Sequence, residues 1–166
     1  MKTRLVPFLL ALCVFALDRL TKVWIESHVS VWETRLVIPR FFNIVHTRNR
    51  GAVFGLFGSV ESPWRDVLLV GMSLVVLVLL AVLLWRQDAA GLACGWGGRL
   101  ALALVLGGAI GNLHDRIAYR AVTDFLEFYI GEYRWPVFNV ADSAITVGAA
   151  LLLLDLWRSR RLPVRA

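Results

Sequence analysis

Two aspartates are the first candidates for chemistry, because each stands among apolar residues close to the last apolar run of the chain. Asp124 lies between Thr123 and Phe125, and Asp142 opens that run. A charged carboxylate in or near a membrane costs free energy, so its presence there indicates a functional or structural role. Two that converge cannot both ionise easily, so they share one proton. The charged partner can then activate water while the neutral partner protonates or polarises a substrate.

Amide and guanidinium side chains near the ends of the apolar runs could complete such a site. They are Asn49, Asn112, Arg116 and Asn139. Donors of this kind stabilise the oxyanion that forms when an amide is hydrolysed. Together with the two aspartates they indicate a hydrolytic site, although each residue taken alone also has a purely structural interpretation.

Local structure supplies those structural alternatives. Asn49 followed by Gly51 can form a turn, and Asp124 can belong to a turn or cap a helix. Asn139 with Asp142 three residues later is typical of a capping box at a helix start. Capping does not exclude chemistry, because the positive end of the helix favours the charged form of Asp142. Our hypothesis is that Asp142 is the ionised partner and Asp124 the protonated one.

Polar residues also lie inside or beside two other apolar runs. Asp18 and Lys22 are four residues apart and share a helix face. Two interpretations stay open for them: a surface ion pair that snorkels, or a role in orienting substrate. Asp115 and Arg116 are neighbours and therefore face different partners. The glycine-rich residues 107–111 predict close approach of another helix.

No competing chemistry is as well supported by the sequence. His28, His46 and His114 show no paired ligand spacing, which argues against a metal. No phosphate-binding loop or dinucleotide motif occurs, so no cofactor is expected. Cys13 and Cys94 lie in apolar surroundings without CxxC spacing, and we interpret them as helix-packing residues.

The elements that must position these residues are membrane helices. Hydrophobic residues make up 58% of the 166 residues, and the mean hydropathy is +0.68, whereas soluble proteins average about 45–50% apolar residues. Four stretches have the ~20 apolar residues that a span requires: 5–23, 67–84, 92–113 and 141–157. We predict one mainly α-helical membrane domain over residues 1–166. The net charge of +6 forms no basic stripe, so nucleic-acid binding is not expected.

The distribution of lysine and arginine predicts the orientation in the membrane. Residues 1–4, 85–99 and 158–166 together carry eight bases and one acid. The loops 24–66 and 114–140 are longer and hold similar numbers of both signs. Both termini are therefore predicted to be cytoplasmic, with the two long loops and the polar cluster at the outer face.

The first outer loop is predicted to contain regular structure. Residues 34–38 and 41–45 are β-branched and aromatic, with Pro39 between them, which is typical of two short strands. We predict a small β-sheet on the outer membrane surface. Ser62 is predicted to cap the next helix, with Pro63 at its first position.

In their order and spacing, these residues resemble a known family, the lipoprotein signal peptidases, also called signal peptidase II. The resemblance runs from Asp18 to the fourth predicted helix. Its most specific pieces are Asn49-Arg50-Gly51-Ala52-Val53-Phe54, Gly107-Gly108-Ala109-Ile110-Gly111-Asn112-Leu113-His114-Asp115-Arg116, Val122-Thr123-Asp124-Phe125 and Phe138-Asn139-Val140-Ala141-Asp142-Ser143.

The resemblance implies an aspartic endopeptidase of the bacterial inner membrane. Its substrate would be a prolipoprotein whose cysteine carries a diacylglyceryl group, cut on the N-terminal side of that cysteine. The resemblance assigns Asp124 and Asp142 as the catalytic pair. It further implies positions that line the site, at Asn49, Gly108, Asn112, Arg116 and Asn139, and more peripherally at Asp18 and Lys22.

The resemblance also implies inhibition by globomycin, and we expect a monomer surrounded by membrane lipid. Arg50 stands where a small polar residue such as threonine is common, and His114 replaces a usually apolar or aromatic residue. Because of these departures the substrate preference stays open, whereas the expected reaction is the same. Two other functions remain possible: a proton-coupled transporter that passes ions along its carboxylates, and a non-catalytic scaffold whose polar clusters only fix helix packing.

Overall fold

The computed structural model describes residues 2–51, 63–86 and 96–159 of the chain. One pair of strands lies between the first and second helices and another between the third and fourth, so both long loops contribute strands. In chain order the elements are α1 (Lys2–His28), β1 (Thr34–Ile38), β2 (Phe42–Asn49), α2 (Pro63–Arg86), α3 (Trp96–Tyr119), β3 (Val122–Ile130), β4 (Tyr133–Arg134) and α4 (Val140–Ser159).

Each predicted span falls on one of these helices. Three of the described helices, α2, α3 and α4, are long and apolar enough to cross a membrane. Val67, Val75 and Val78 of α2 are exposed, as suits a helix that lipid surrounds. The 27-residue α1 carries Asp18 and Lys22 in its C-terminal half, which lowers its hydropathy. Its insertion as a fourth span therefore stays a prediction.

Helix α3 is longer at its C-terminal end than the predicted span. It continues past Leu113 to Tyr119, so Asp115 and Arg116 lie within regular helix. The predicted loop 114–140 accordingly begins with helix and continues as two strands.

Some predictions fall outside the described residues. These are the cap at Ser62, the packing role of Cys94 and the start of the third span at residues 92–95. Helix α2 does begin at Pro63, as predicted. Cys13 is exposed on α1, so its interpretation as a helix-packing residue was wrong, because it lies on the face of α1 that no other described helix covers.

The four strands form one antiparallel sheet in the order β1-β2-β3-β4. Strand β1 matches the predicted residues 34–38, and β2 extends to Asn49. In the register of β2 and β3, Thr47 lies opposite Asp124. The interpretation of Asp124 as a turn or cap residue was therefore wrong. Its neighbours are β-branched and aromatic and suit a pleated strand, which pairs with β2.

Helix α3 packs against all three other helices. A Cβ atom on Gly108 would lie 2.4 Å from the carbonyl oxygen of Ala141 on α4. A Cβ atom on Gly111 would lie 2.4 Å from Oδ2 of Asp18 on α1. Both distances are too short for a side chain, so the predicted close approach at residues 107–111 is confirmed. The polar residues of three helices are thereby brought together.

Candidate active site

The two aspartates come from different elements and meet at one asparagine. Asp124 lies on β3, and Asp142 lies in the first turn of α4. The Nδ2 amide of Asn139 donates to Oδ1 of Asp124 at 2.7 Å. The backbone N–H of Asn139 donates to Oδ2 of Asp142 at 3.3 Å, and the N–H of Asp142 donates back to Oδ1 of Asn139 at 2.9 Å. The predicted capping box is confirmed, and the same asparagine bridges the pair.

Asp124 is the more deeply enclosed carboxylate, with 3% of its surface exposed. Its Oδ2 accepts a hydrogen bond of 3.1 Å from Nδ2 of Asn49 at the end of β2. Burial, and after it the nearby charge of Asp142, raise the pKa of Asp124 from 3.8 to about 7, against the lowering effect of its two amide donors. Burial penalises the charged form, so Asp124 holds a proton over much of the acid and neutral range.

Asp142 is held by a second asparagine, whose amide orientation is fixed by its other neighbours. Nδ2 of Asn112 donates to Oδ1 of Asp142 at 2.8 Å. Oδ1 of Asn112 accepts from Nζ of Lys22 and from Nδ2 of Asn139, both at 3.1 Å. Because an ammonium group only donates, the oxygen of Asn112 must face Lys22. Its nitrogen is therefore directed at Asp142, whose Oδ1 accepts the hydrogen bond from this amide.

Behind these asparagines lies a buried cluster of charges. Asp18 and Lys22 are both 0% exposed. Lys22 Nζ lies 2.8 Å from Asp18 and 2.8 Å from Asp115, and Arg19 Nη1 lies 2.6 Å from Asp115. The interpretation of Asp18 and Lys22 as a snorkelling surface pair was wrong, because α3 covers both side chains. Asp18 also accepts the backbone N–H of Ala141 at 3.0 Å, which ties α1 to the first turn of α4.

Arg116 faces the aspartate pair from the end of α3. Its charge acts on both Asp142 and Asp124, and its Nη1 donates to the backbone oxygen of Asn112 at 3.4 Å. Its Nε is buried and has no hydrogen-bond partner among the described residues. Arg116 also lines a small cavity with Asn49. A guanidinium N–H in this position can donate to an oxygen of a bound ligand.

The predicted site residues therefore fall into three groups. Around the aspartates lie the four predicted donors, Asn49, Asn112, Arg116 and Asn139. One layer further out, Lys22 acts on Asn112 and Asp18 acts on the α4 backbone. Gly108 packs against α4, where Ala141 and Ile145 leave no room for a Cβ atom.

Sequence reasoning missed Arg19 and did not include Asp115 among the site residues. The expectation that Asp115 and Arg116 face different partners is confirmed, since Asp115 pairs with α1 and Arg116 faces the aspartates. Three charged residues so close together, Asp18, Arg19 and Lys22, indicated that a charged partner exists. No neighbouring residue in the chain indicated that this partner would be Asp115 on α3. In the described ranges, no group of three or more His, Cys, Asp or Glu side chains is arranged to hold a metal ion.

Comparison with known proteins gives consistent results. Residues 10–158 match the signal peptidase II family. The lipoprotein signal peptidase of Solibacter usitatus (strain Ellin6076) is 48% identical over 151 residues, which cover 91% of this chain and 90% of that protein. The lipoprotein signal peptidase of Oleidesulfovibrio alaskensis is 41% identical over 156 residues, covering 93% and 96% respectively.

Solved structures agree with these sequence matches. One, described as a bacterial membrane enzyme obtained by the in meso method, has a TM-score of 0.82 at 28% identity and covers 97% of this chain and 93% of its own. A second with the same description has a TM-score of 0.77 at 29% identity, covering 91% and 92%.

Long apolar helices around a small sheet, with two carboxylates bridged by one asparagine, define a mainly helical membrane protein. The sequence matches span most of this chain and most of each relative, at identities well above those of chance similarity. The chain belongs to the signal peptidase II family, whose name denotes a peptidase and thus a hydrolase.

Proposed function

We propose that this protein is an aspartic endopeptidase that removes the signal peptide from prolipoproteins. It would cut on the N-terminal side of a cysteine that carries a diacylglyceryl group. The observation that carries the proposal is the Asn139 bridge, which holds Asp124 and Asp142 in one hydrogen-bond network. Membership of a family whose relatives are named lipoprotein signal peptidases supports the substrate class.

The two aspartates would divide the proton transfers between them. Charged Asp142 takes a proton from water, and the water oxygen attacks the scissile carbonyl carbon. Protonated Asp124 donates a hydrogen bond to the carbonyl and then passes its proton to the leaving amine as the C–N bond breaks. A pKa of about 7 for Asp124 leaves the required proton in place in a large fraction of molecules near neutral pH. One proton then moves from Asp142 to Asp124 to restore the starting state.

Arg116 would stabilise the oxyanion of the tetrahedral intermediate. Its unpartnered Nε is buried near the pair, and a cation in such a low-dielectric place acts strongly on developing negative charge. Asn49 and Asn139 hold the carboxyl of Asp124 in a fixed orientation. These residues and water suffice for the steps above, so the proposed reaction uses no cofactor or metal ion.

The proposed membrane arrangement is four inserted helices in one domain over residues 1–166, with both termini cytoplasmic. The protein would act as a monomer in the bacterial inner membrane, with its site at the outer face. The insertion of α1 is supported by its exposed apolar face, formed by Leu9, Leu12 and Leu17, while Asp18 and Lys22 turn inward. A lipid-bearing substrate could then enter sideways from the bilayer, and the family resemblance extends to globomycin as an inhibitor.

The test is cleavage of a diacylglyceryl-modified prolipoprotein by the purified protein in mixed micelles. Asp124→Asn and Asp142→Asn remove one proton-transfer group each and should each lower kcat by about 10³-fold or more. The control Glu132→Gln removes a carboxylate at an exposed position and should keep full activity. A cooperative thermal unfolding transition in each variant, as in the parent, would show that all variants are folded.

The outcomes separate the competing functions. A parent protein that cuts, with both folded aspartate variants inactive, supports the proposal. Cleavage by either variant would refute the assigned pair. An inactive parent that conducts protons in liposomes would favour the transporter. A parent with neither activity would favour the scaffold.

A further inference from the structure

Two cavities meet where strand β2 ends. The first is lined by the charged residues Asp66, Arg116 and Arg120 and by two apolar residues of α2, Leu69 and Val70. The second has a volume of about 570 Å³, and we name it the cationic cavity. It is lined by Trp32, Arg48, Asn49, Arg50 and Tyr119, together with two small apolar residues. Asn49 and Arg50 line both cavities, so the cationic cavity adjoins the residue that contacts Asp124.

Two arginines, Arg48 and Arg50, give the cationic cavity its positive charge. Within the described ranges neither Arg48 nor Arg50 forms an ion pair. The guanidinium carbon of Arg48 lies 5.5 Å from the centre of the Tyr119 ring, which keeps this side chain against the cavity wall. Asp66 shares the neighbouring cavity with Arg50 but pairs with Arg65 at 2.8 Å. An anionic ligand would therefore be favoured here.

The proposed substrate has three parts that must leave the scissile bond in different directions. Its signal peptide and its diacylglyceryl group are apolar and remain in the bilayer. Only the mature chain, which follows the cysteine, has to pass into water. Leu69 and Val70 suit an apolar part. The residues that line the cationic cavity lie outside all four predicted spans. They follow the end of α1, lie at the end of β2, or lie at or just after the C-terminal end of α3, which suits the mature chain.

We propose that Arg48 and Arg50 form a subsite that selects acidic side chains in the mature segment directly after the lipidated cysteine. This inference rests on the proposed function. Arg50 follows Asn49 directly, and an extended substrate advances about 3.3 Å per residue, so the selected positions are the first two or three after the cysteine.

The test compares two diacylglyceryl-modified prolipoproteins that differ only at the two residues after the cysteine, which are either both Asp or both Lys. Cleavage is measured in uncharged detergent at low and high salt. The acidic substrate gains accessible ion pairs and the lysine substrate is repelled, so the parent should prefer the acidic substrate by about tenfold in kcat/KM. The preference should shrink at high salt.

Variants identify the residues responsible, and the ratio of the two kcat/KM values is the readout, because it does not depend on overall losses of activity. The double variant Arg48→Gln/Arg50→Gln should bring the ratio close to one. The single variant Arg50→Lys should keep most of the preference for the acidic substrate. The control Arg40→Gln removes an exposed arginine on the turn before β2 and should leave both rates unchanged.

Each result has a distinct meaning. If the parent cuts both substrates equally, the subsite is refuted while the proposed function stands. If neither substrate is cut, the proposed function fails and the subsite with it. If the double variant keeps the preference, another group is responsible and the inference is wrong. If added phosphatidylglycerol changes the rate of the parent but not of the double variant, and substrate charge has no effect, the arginines bind lipid headgroups instead.

Discussion

Replacing Asp124 with asparagine should remove most of the loss of stability that the parent shows as pH rises, while it abolishes cleavage. The carboxylate is 3% exposed, and its pKa is raised from 3.8 to about 7. At a pH between these two values, the native state therefore still binds a proton that the unfolded chain has already lost. The free energy of unfolding falls as pH rises through that window and is level above it. Asparagine has nearly the same shape and no charge to bury.

The expected magnitude follows from the size of the shift. A rise of about 3 pKa units corresponds to about 4 kcal/mol across the whole window, at about 1.4 kcal/mol per unit. Of this total, the free energy of unfolding should fall by about 3 kcal/mol between about pH 5 and pH 8. The parent should lose this amount over the interval, and Asp124→Asn should not. Since 1 kcal/mol changes the melting temperature of a protein of this size by about 2–4 °C, the two melting curves should separate by several degrees.

The assay is thermal unfolding in detergent followed by the fluorescence of the seven tryptophans, at a fixed scan rate and at a series of pH values. The control Glu132→Gln removes an exposed carboxylate and should follow the parent at every pH. If Asp124→Asn shows the same dependence on pH as the parent, the pKa of Asp124 is not raised. The assignment of Asp124 as the protonated partner would then have to be abandoned.

Three further predictions follow from the same contacts. The kcat/KM of the parent should fall as pH rises above about 7, because ionised Asp124 has no proton for the leaving amine; a rate that keeps rising well beyond that pH would contradict this. Lys22→Met removes the cation that two buried carboxylates share, and should lower the free energy of unfolding by about 3–5 kcal/mol; an unchanged melting temperature would argue against this cluster. Gly108→Ala places a Cβ atom 2.4 Å from the Ala141 oxygen and should cost about 1–3 kcal/mol, whereas Gly71→Ala, which has open space around it, should not destabilise.

Structural features that depend only on residues close together in the chain could be predicted from the sequence. The capping box at Asn139 and Asp142 depends on residues three apart, and the same hydrogen bonds occur in the structure. The helix positions follow from runs of apolar residues, and strand β1 follows from its β-branched composition. Such features depend on interactions within one or two turns of chain, so the residue types determine them.

The strand that carries Asp124 could not be assigned from its own residues. A single aspartate between apolar residues suits a turn, a cap or a strand equally, and only pairing with β2 decides between them. That pairing joins residues 77 positions apart in the chain, as between Thr47 and Asp124. The raised pKa of Asp124 likewise requires burial by several elements and the approach of Asp142.

The sequence by itself determined which residue types the site contains, where the apolar helices lie and how the first turn of α4 is capped, because each of these is set by neighbours in the chain. Tertiary structure alone decided that Asp18 and Lys22 are buried and that Asn112 directs its nitrogen at Asp142. Lys22 and Asn112 are 90 positions apart. Their contact exists only because glycines on α3 allow the helices to pack closely enough to exclude lipid and water, and buried charges must then find partners among themselves.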